Sequence, residues 1–164
     1  MPGQMNQEED LKAALLLSFV RFAEWPAGDS PVVVGIFNQP KLKTSLEKLS
    51  FRKQVQNRSI EVRGIRHVTD LKDCQVIYLG ALNGKKLEEL LAGTRNLNLL
   101  SIGESDRFLK SGGTIYIFQE DGRLNFEVNL AALTQSKINI SSKLLRLRYT
   151  VRNPAASQTG KRQQ

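Results

Sequence analysis

GGTIYIFQEDGRLNFEVNL, residues Gly112 to Leu130, reads as two strands joined by a tight turn. Asp121-Gly122 separates two runs rich in β-branched and aromatic residues, and this dipeptide readily adopts the φ > 0 geometry of a type I′ hairpin. The second strand alternates strictly. Leu124, Phe126, Val128 and Leu130 point one way, and Asn125, Glu127 and Asn129 point the other. One face is expected to pack on a core while the other shows an exposed row of amides and a carboxylate. The first strand, Thr114 to Phe118, is apolar at nearly every position and reads as covered on both sides.

Downstream, Ala131 to Ser136 reads as a short helix, and Ser141 or Ser142 caps a last helical segment containing Leu144, Leu145 and Leu147. Upstream, Leu99 to Gly103 is a strand, and Ser105-Asp106 caps a brief helix over Arg107 to Lys110. Three more strands precede it: Val32 to Phe37, which is apolar throughout, Ile60 to Ile65, and Gln75 to Leu79. Between them, Leu42, Ser45, Leu46 and Leu49 recur at helical spacing, Asp70-Leu71 starts a short turn of helix, and Gly84 to Gly93 carries Leu87, Leu90 and Leu91 on one face, with Gly93 able to serve as the C′ residue. Strands alternating with short helices imply βαβ units. The expected fold is therefore α/β, a mainly parallel sheet flanked by helices on both faces, made mixed by the C-terminal β-hairpin.

The chain opens with polar residues, then Glu8-Glu9-Asp10 begins a helix that ends at Trp25-Pro26. Leu11, Leu15, Phe19 and Phe22 form its core stripe. Leu16, Val20 and Ala23 widen that stripe beyond one buried face and are expected to contact a second subunit or a partner. At 164 residues the chain is read as one domain spanning 8–152, between a disordered N-terminus (1–7) and a low-complexity tail (153–164).

The net charge of +8 and pI near 9.8 would suit nucleic acid, but the bases are scattered among acids, and no nucleic-acid partner is expected. No apolar run approaches the roughly 18 residues of a membrane span. The acidic start differs from a signal peptide, so an exported form would have lost its signal from this chain. Neither GxGxxG nor a phosphate loop occurs, and the strand ends carry Asn38 and Gly80 where a phosphoacceptor domain needs acids. A single histidine, His67, rules out multi-histidine metal sites. Glu127 has no second carboxylate paired with it in sequence for acid–base work. Gly103-Glu104-Ser105 and Gly112-Gly113 could form backbone anion pockets, although such glycines more often punctuate turns. The single cysteine, Cys74, reads as a small buried hydrophobe. No enzyme, metal or cofactor is expected.

Several segments, in order, resemble the YfiR family. They are Phe22-Ala23-Glu24-Trp25-Pro26, Val32 to Phe37, Asp70 to Val76, Ile102-Gly103-Glu104, Gly112 to Phe118, Phe126 to Leu130, and Ile140 to Leu145. The resemblance implies a compact α/β sandwich and a small periplasmic, non-enzymatic regulator. Such a protein would bind the sensor domain of a membrane-anchored diguanylate cyclase, repress cyclic di-GMP signalling and biofilm formation, and be able to dimerise. By position it places Asn125, Glu127, Asn129, Asn139 and Ser141 on the partner-facing or ligand-sensing surface. The family's redox-sensitive form uses paired cysteines, which one cysteine cannot supply. The other functional reading is a domain that senses a small metabolite through the Asn/Glu row and the glycine turns.

Overall fold

The computed structural model describes residues 7–145. The expected tail at 153–164, the helical residue Leu147 and all but the last residue of the N-terminal segment lie outside that range.

The hairpin is built as its turn dictates. Strands β7 (Ile115–Glu120) and β8 (Arg123–Val128) pair antiparallel, from Ile115 opposite Val128 to Glu120 opposite Arg123. Asp121 and Gly122 both take left-handed φ, 54° and 76°, the twist a two-residue hairpin needs. Upstream, β2 (Val32–Phe37), β4 (Arg58–Ile65), β5 (Val76–Tyr78) and β6 (Leu100–Gly103) are parallel, and β7 joins β6 in parallel. A two-residue strand, β3 (Gln54–Val55), pairs antiparallel with β4. The result is a mixed, mostly parallel seven-stranded sheet of order β3-β4-β2-β5-β6-β7-β8.

Alternation along the strands divides the core in two. Val32, Val34, Ile36, Val76, Tyr78, Ile102, Ile115, Ile117, Phe126 and Val128 face helices α1 (Gln7–Phe22) and α2 (Pro40–Ser50). Val33, Ile77 and Leu79 face the opposite layer, made by α3 (Gly84–Ala92), a 3-10 turn at Val68–Asp73, and Phe108. Helices thus cover both faces, as expected.

Four local readings are corrected. First, α1 stops at Phe22, and Ala23–Glu24 forms a strand, β1, that pairs antiparallel with β9 (Asn139–Ile140). Second, the stripe on α1 is rotated. Leu16 and Val20 are fully buried and Ala23 nearly so within the single chain, while Leu11 is 56% exposed. The helix packs on the sheet and alongside α2, with Phe19 edge-to-face on Phe126 at 4.9 Å, so a wide stripe is consumed by one core. Leu16, Val20 and Ala23 therefore have almost no surface to offer a partner.

Third, Gly93 caps α3 with ordinary right-handed φ (−69°). Its lack of a side chain serves packing, since a Cβ there would lie 2.8 Å from Val68 Cγ1. Fourth, Arg107 to Lys110 forms successive turns and not a helix. The adjacent glycines make room for a ring: a Cβ on Gly103 or Gly113 would sit 2.3 or 2.1 Å from Phe108. The Glu104 amide is spent on the Gly80 carbonyl, and Ser105 Oγ accepts from the Arg107 amide. These glycines are a socket for Phe108, and the anion-pocket reading falls.

Candidate partner-binding surface

The Asp121-Gly122 turn fixes which side chains share the outer face of the hairpin. Cross-strand register sets Glu127 opposite Tyr116 and Asn125 opposite Phe118. The Tyr116 and Phe118 rings stack at 5.3 Å with 22° between their planes. Both rings and Asn125 are half-buried, and Glu127 is only 9% exposed. The expected exposed row is therefore shallower than its alternation suggests. A polar side chain on a strand can be covered by its cross-strand neighbour, and Tyr116 lies directly across from Glu127.

This face carries negative character. Burial pushes the Tyr116 phenol above its ordinary pKa, and the carboxylates of Glu127, Asp106 and Glu104 push it the same way. The arrangement is a two-ring apolar platform edged by acids, on the end strand pair of the sheet. It suits a partner that brings a cationic or amide-rich segment.

Asn129 serves the fold. Its Oδ1 accepts from the Ala132 amide at 3.0 Å, capping α4 (Leu130–Ser136), and its Nδ2 donates to the Leu109 carbonyl at 3.1 Å. Only 7% exposed, it ends the strand at Val128 and leaves Leu130 on the surface at 40%. Asn139 and Ser141 are held against the end of α1. Asn139 pairs with Glu24, the Ser141 amide donates to the Phe22 carbonyl at 2.8 Å, and Ser141 Oγ accepts from the Lys143 amide, opening α5 (Ser142–Leu145). Of the five residues expected at the binding surface, Asn125 and Glu127 share one face with Tyr116 and Phe118. Asn129 is a buried cap, and Asn139 and Ser141 belong to the β1–β9 clamp.

Sequence reasoning passed over the two rings. Their signal was available: counting back from Asp121-Gly122 pairs Tyr116 with Glu127 and Phe118 with Asn125. It also passed over a cluster at the carboxyl ends of β5 and β6. There Lys12 Nζ lies 3.0 Å from both Glu104 Oε2 and Glu8 Oε2, and the Tyr78 hydroxyl donates to Glu104. Burial, the largest influence on the Lys12 ammonium, works to lower its pKa. Hydrogen bonds to Glu104 and Glu8, with their charges, outweigh it, and the net shift is upward. Lys12 thus stays charged and pins α1 to the sheet. His67 acts as the N-cap of the 3-10 turn in a capping box with Asp70, whose carboxylate accepts from the Arg66 and His67 amides.

Among the described residues no group of three or more His, Cys, Asp or Glu is placed to hold a metal. No described helix is long and apolar enough to cross a membrane. The fold and this surface define a small α/β domain that carries a pair of stacked aromatic rings on the outer face of the β7–β8 hairpin. A sequence profile of the family described as YfiR/HmsC-like matches residues 9–148, and the chain belongs to that family.

Proposed function

We propose that this protein is a non-enzymatic periplasmic regulator that binds the sensor domain of a membrane-anchored diguanylate cyclase and holds the enzyme inactive. The observation that carries the reading is the family match over residues 9–148, nearly the whole described chain. The outer face of β7–β8 supports it with a surface of suitable chemistry. Tyr116 and Phe118 supply apolar contact at low entropic cost, since each ring has few torsions to fix. Asn125 and Glu127 supply hydrogen-bond specificity beside them.

The test is made in the bacterium that encodes the chain. Deleting its gene should raise intracellular cyclic di-GMP, and wild-type protein should restore the low level. The Phe118→Asp variant, exported and folded, should fail to restore it. Unchanged cyclic di-GMP on deletion would refute the regulator reading. Full rescue by Phe118→Asp would refute the assignment of this face.

A further inference from the structure

A concave site lies away from the hairpin, at the carboxyl ends of β2 and β4. In an open α/β sheet, ligands collect where the crossovers leave the sheet on opposite faces, outside the carboxyl ends of the strands. Here β2 continues through α2 on one face to β4, while β5 continues through α3 on the other face to β6. The switch falls between β2 and β5. Beside it opens a cleft of about 850 Å³ whose walls include Phe37, Ile65, Lys43, Arg66 and Asp70, with Lys86 reaching in from α3.

Its chemistry is two-sided. Three cationic side chains, Lys43, Arg66 and Lys86, share the lining with one carboxylate, Asp70. Asp70 is already occupied: its Oδ2 accepts from the Arg66 and His67 amides at 2.8 and 2.9 Å, which holds its pKa below the usual range. Lys43 is shared with Glu47 at 2.9 Å, and Lys86 lies 3.9 Å from Glu89. The Arg66 guanidinium has no ion-pair partner among the described residues and is exposed at the mouth. Gln39, at the start of α2, makes no side-chain cap, and it lines the cleft together with Pro40, so the positive end of that helix opens here. Behind the cations, Phe37 and Pro40 give an apolar wall. The volume far exceeds what an inorganic oxyanion needs.

We infer that this cleft binds a small organic phosphate. Arg66, with Lys86 and Lys43, takes the phosphoryl oxygens, since a guanidinium fork matches them in pairs, and the organic body lies against Phe37 and Pro40. The inference is independent of the hairpin face, and its failure would leave the partner reading untouched.

Calorimetric titration of the whole chain at low ionic strength tests it, with phenyl phosphate, inorganic phosphate and phenol as probes. Phenyl phosphate should bind saturably at one site, at least tenfold tighter than inorganic phosphate, and phenol should not bind measurably. The double variant Arg66→Gln, Lys86→Gln should lose at least tenfold in affinity. The variant Lys48→Gln, Lys110→Gln removes the same charge from exposed positions outside the cleft and should lose less than twofold. Thermal melts establish that both variants fold. Absence of saturable phenyl phosphate binding, or equal loss in the two double variants, would overturn the site. Equal affinity for phenyl and inorganic phosphate would overturn the organic-phosphate assignment.

Discussion

Cys74 lies 3% exposed beneath the 3-10 turn, its Sγ 3.5 Å from the Asp70 carbonyl, and burial raises its thiol pKa to about 11. In the unfolded chain the thiol ionises near 9. The fold therefore gains from the protonated thiol at all pH below about 9, and that gain is lost as pH rises from 9 through 11. A difference of this size between the folded and unfolded thiol corresponds to roughly 2–3 kcal/mol. Urea midpoints of the wild type and Cys74→Ala should accordingly converge, or cross, between about pH 9 and pH 11. Parallel behaviour would place the thiol in a wetter site. The native thiol should also react slowly with maleimide, because the thiolate is the nucleophile. A second prediction concerns the Phe108 socket. Gly113→Ala would drive a methyl into the ring, at a cost of about 1–3 kcal/mol or more, as overpacking does. Combining it with Phe108→Leu should cost less than the sum of the two single changes. Strict additivity would show that the ring does not fill this space.

Among the elements, the hairpin was the most legible in sequence because its turn chemistry and strand pattern agree. Gly122→Val should destabilise the protein by about 1–3 kcal/mol, since a β-branched residue resists left-handed φ. An unchanged denaturation midpoint would contradict the turn. The start of α4 was legible as a helix, while the role of Asn129 was not: a residue in phase with Asn125 and Glu127 looks like the end of a strand row, yet it caps the next helix. Asn129→Ala should cost about 1–2 kcal/mol through the lost cap and its bond to Leu109, measured by thermal denaturation. A midpoint within error of wild type would deny the cap. The two-residue strands β1, β3 and β9 carry no periodic signal and depend on long-range partners. Gln56 exchanges hydrogen bonds with the Trp25 backbone at 2.7 and 2.9 Å, and the Arg58 guanidinium binds the carbonyls of Pro26, Ser30 and Pro31. A local reading of Gln56 or Arg58 sees only polar loop residues. The α1 stripe misled for the opposite reason. Its width was visible, but not the fact that Leu16 and Val20 would join the same core cluster as Leu42 and Leu46 of α2.

At the scale of the whole molecule, one mixed, mostly parallel sheet with helices on both faces presents two outward features at different places among the described residues. They are the ring-and-acid platform on the β7–β8 edge and the cationic cleft outside the carboxyl ends of β2 and β4. The platform bears the central claim, that this member of the YfiR/HmsC-like family acts by docking a cyclase sensor domain there. Phe118 is half-exposed and touches Tyr116 across an open face, so replacing it should disturb docking more than folding. The most direct measurement is the affinity of the purified sensor domain for wild-type protein and for Phe118→Asp, each with its melting temperature. Loss of an aromatic anchor from a desolvated contact costs about 2 kcal/mol or more. The expected result is therefore a drop in affinity of at least thirtyfold with a melting temperature within a few degrees of wild type. Equal affinity of the two proteins, or no binding by the wild type, would contradict the account.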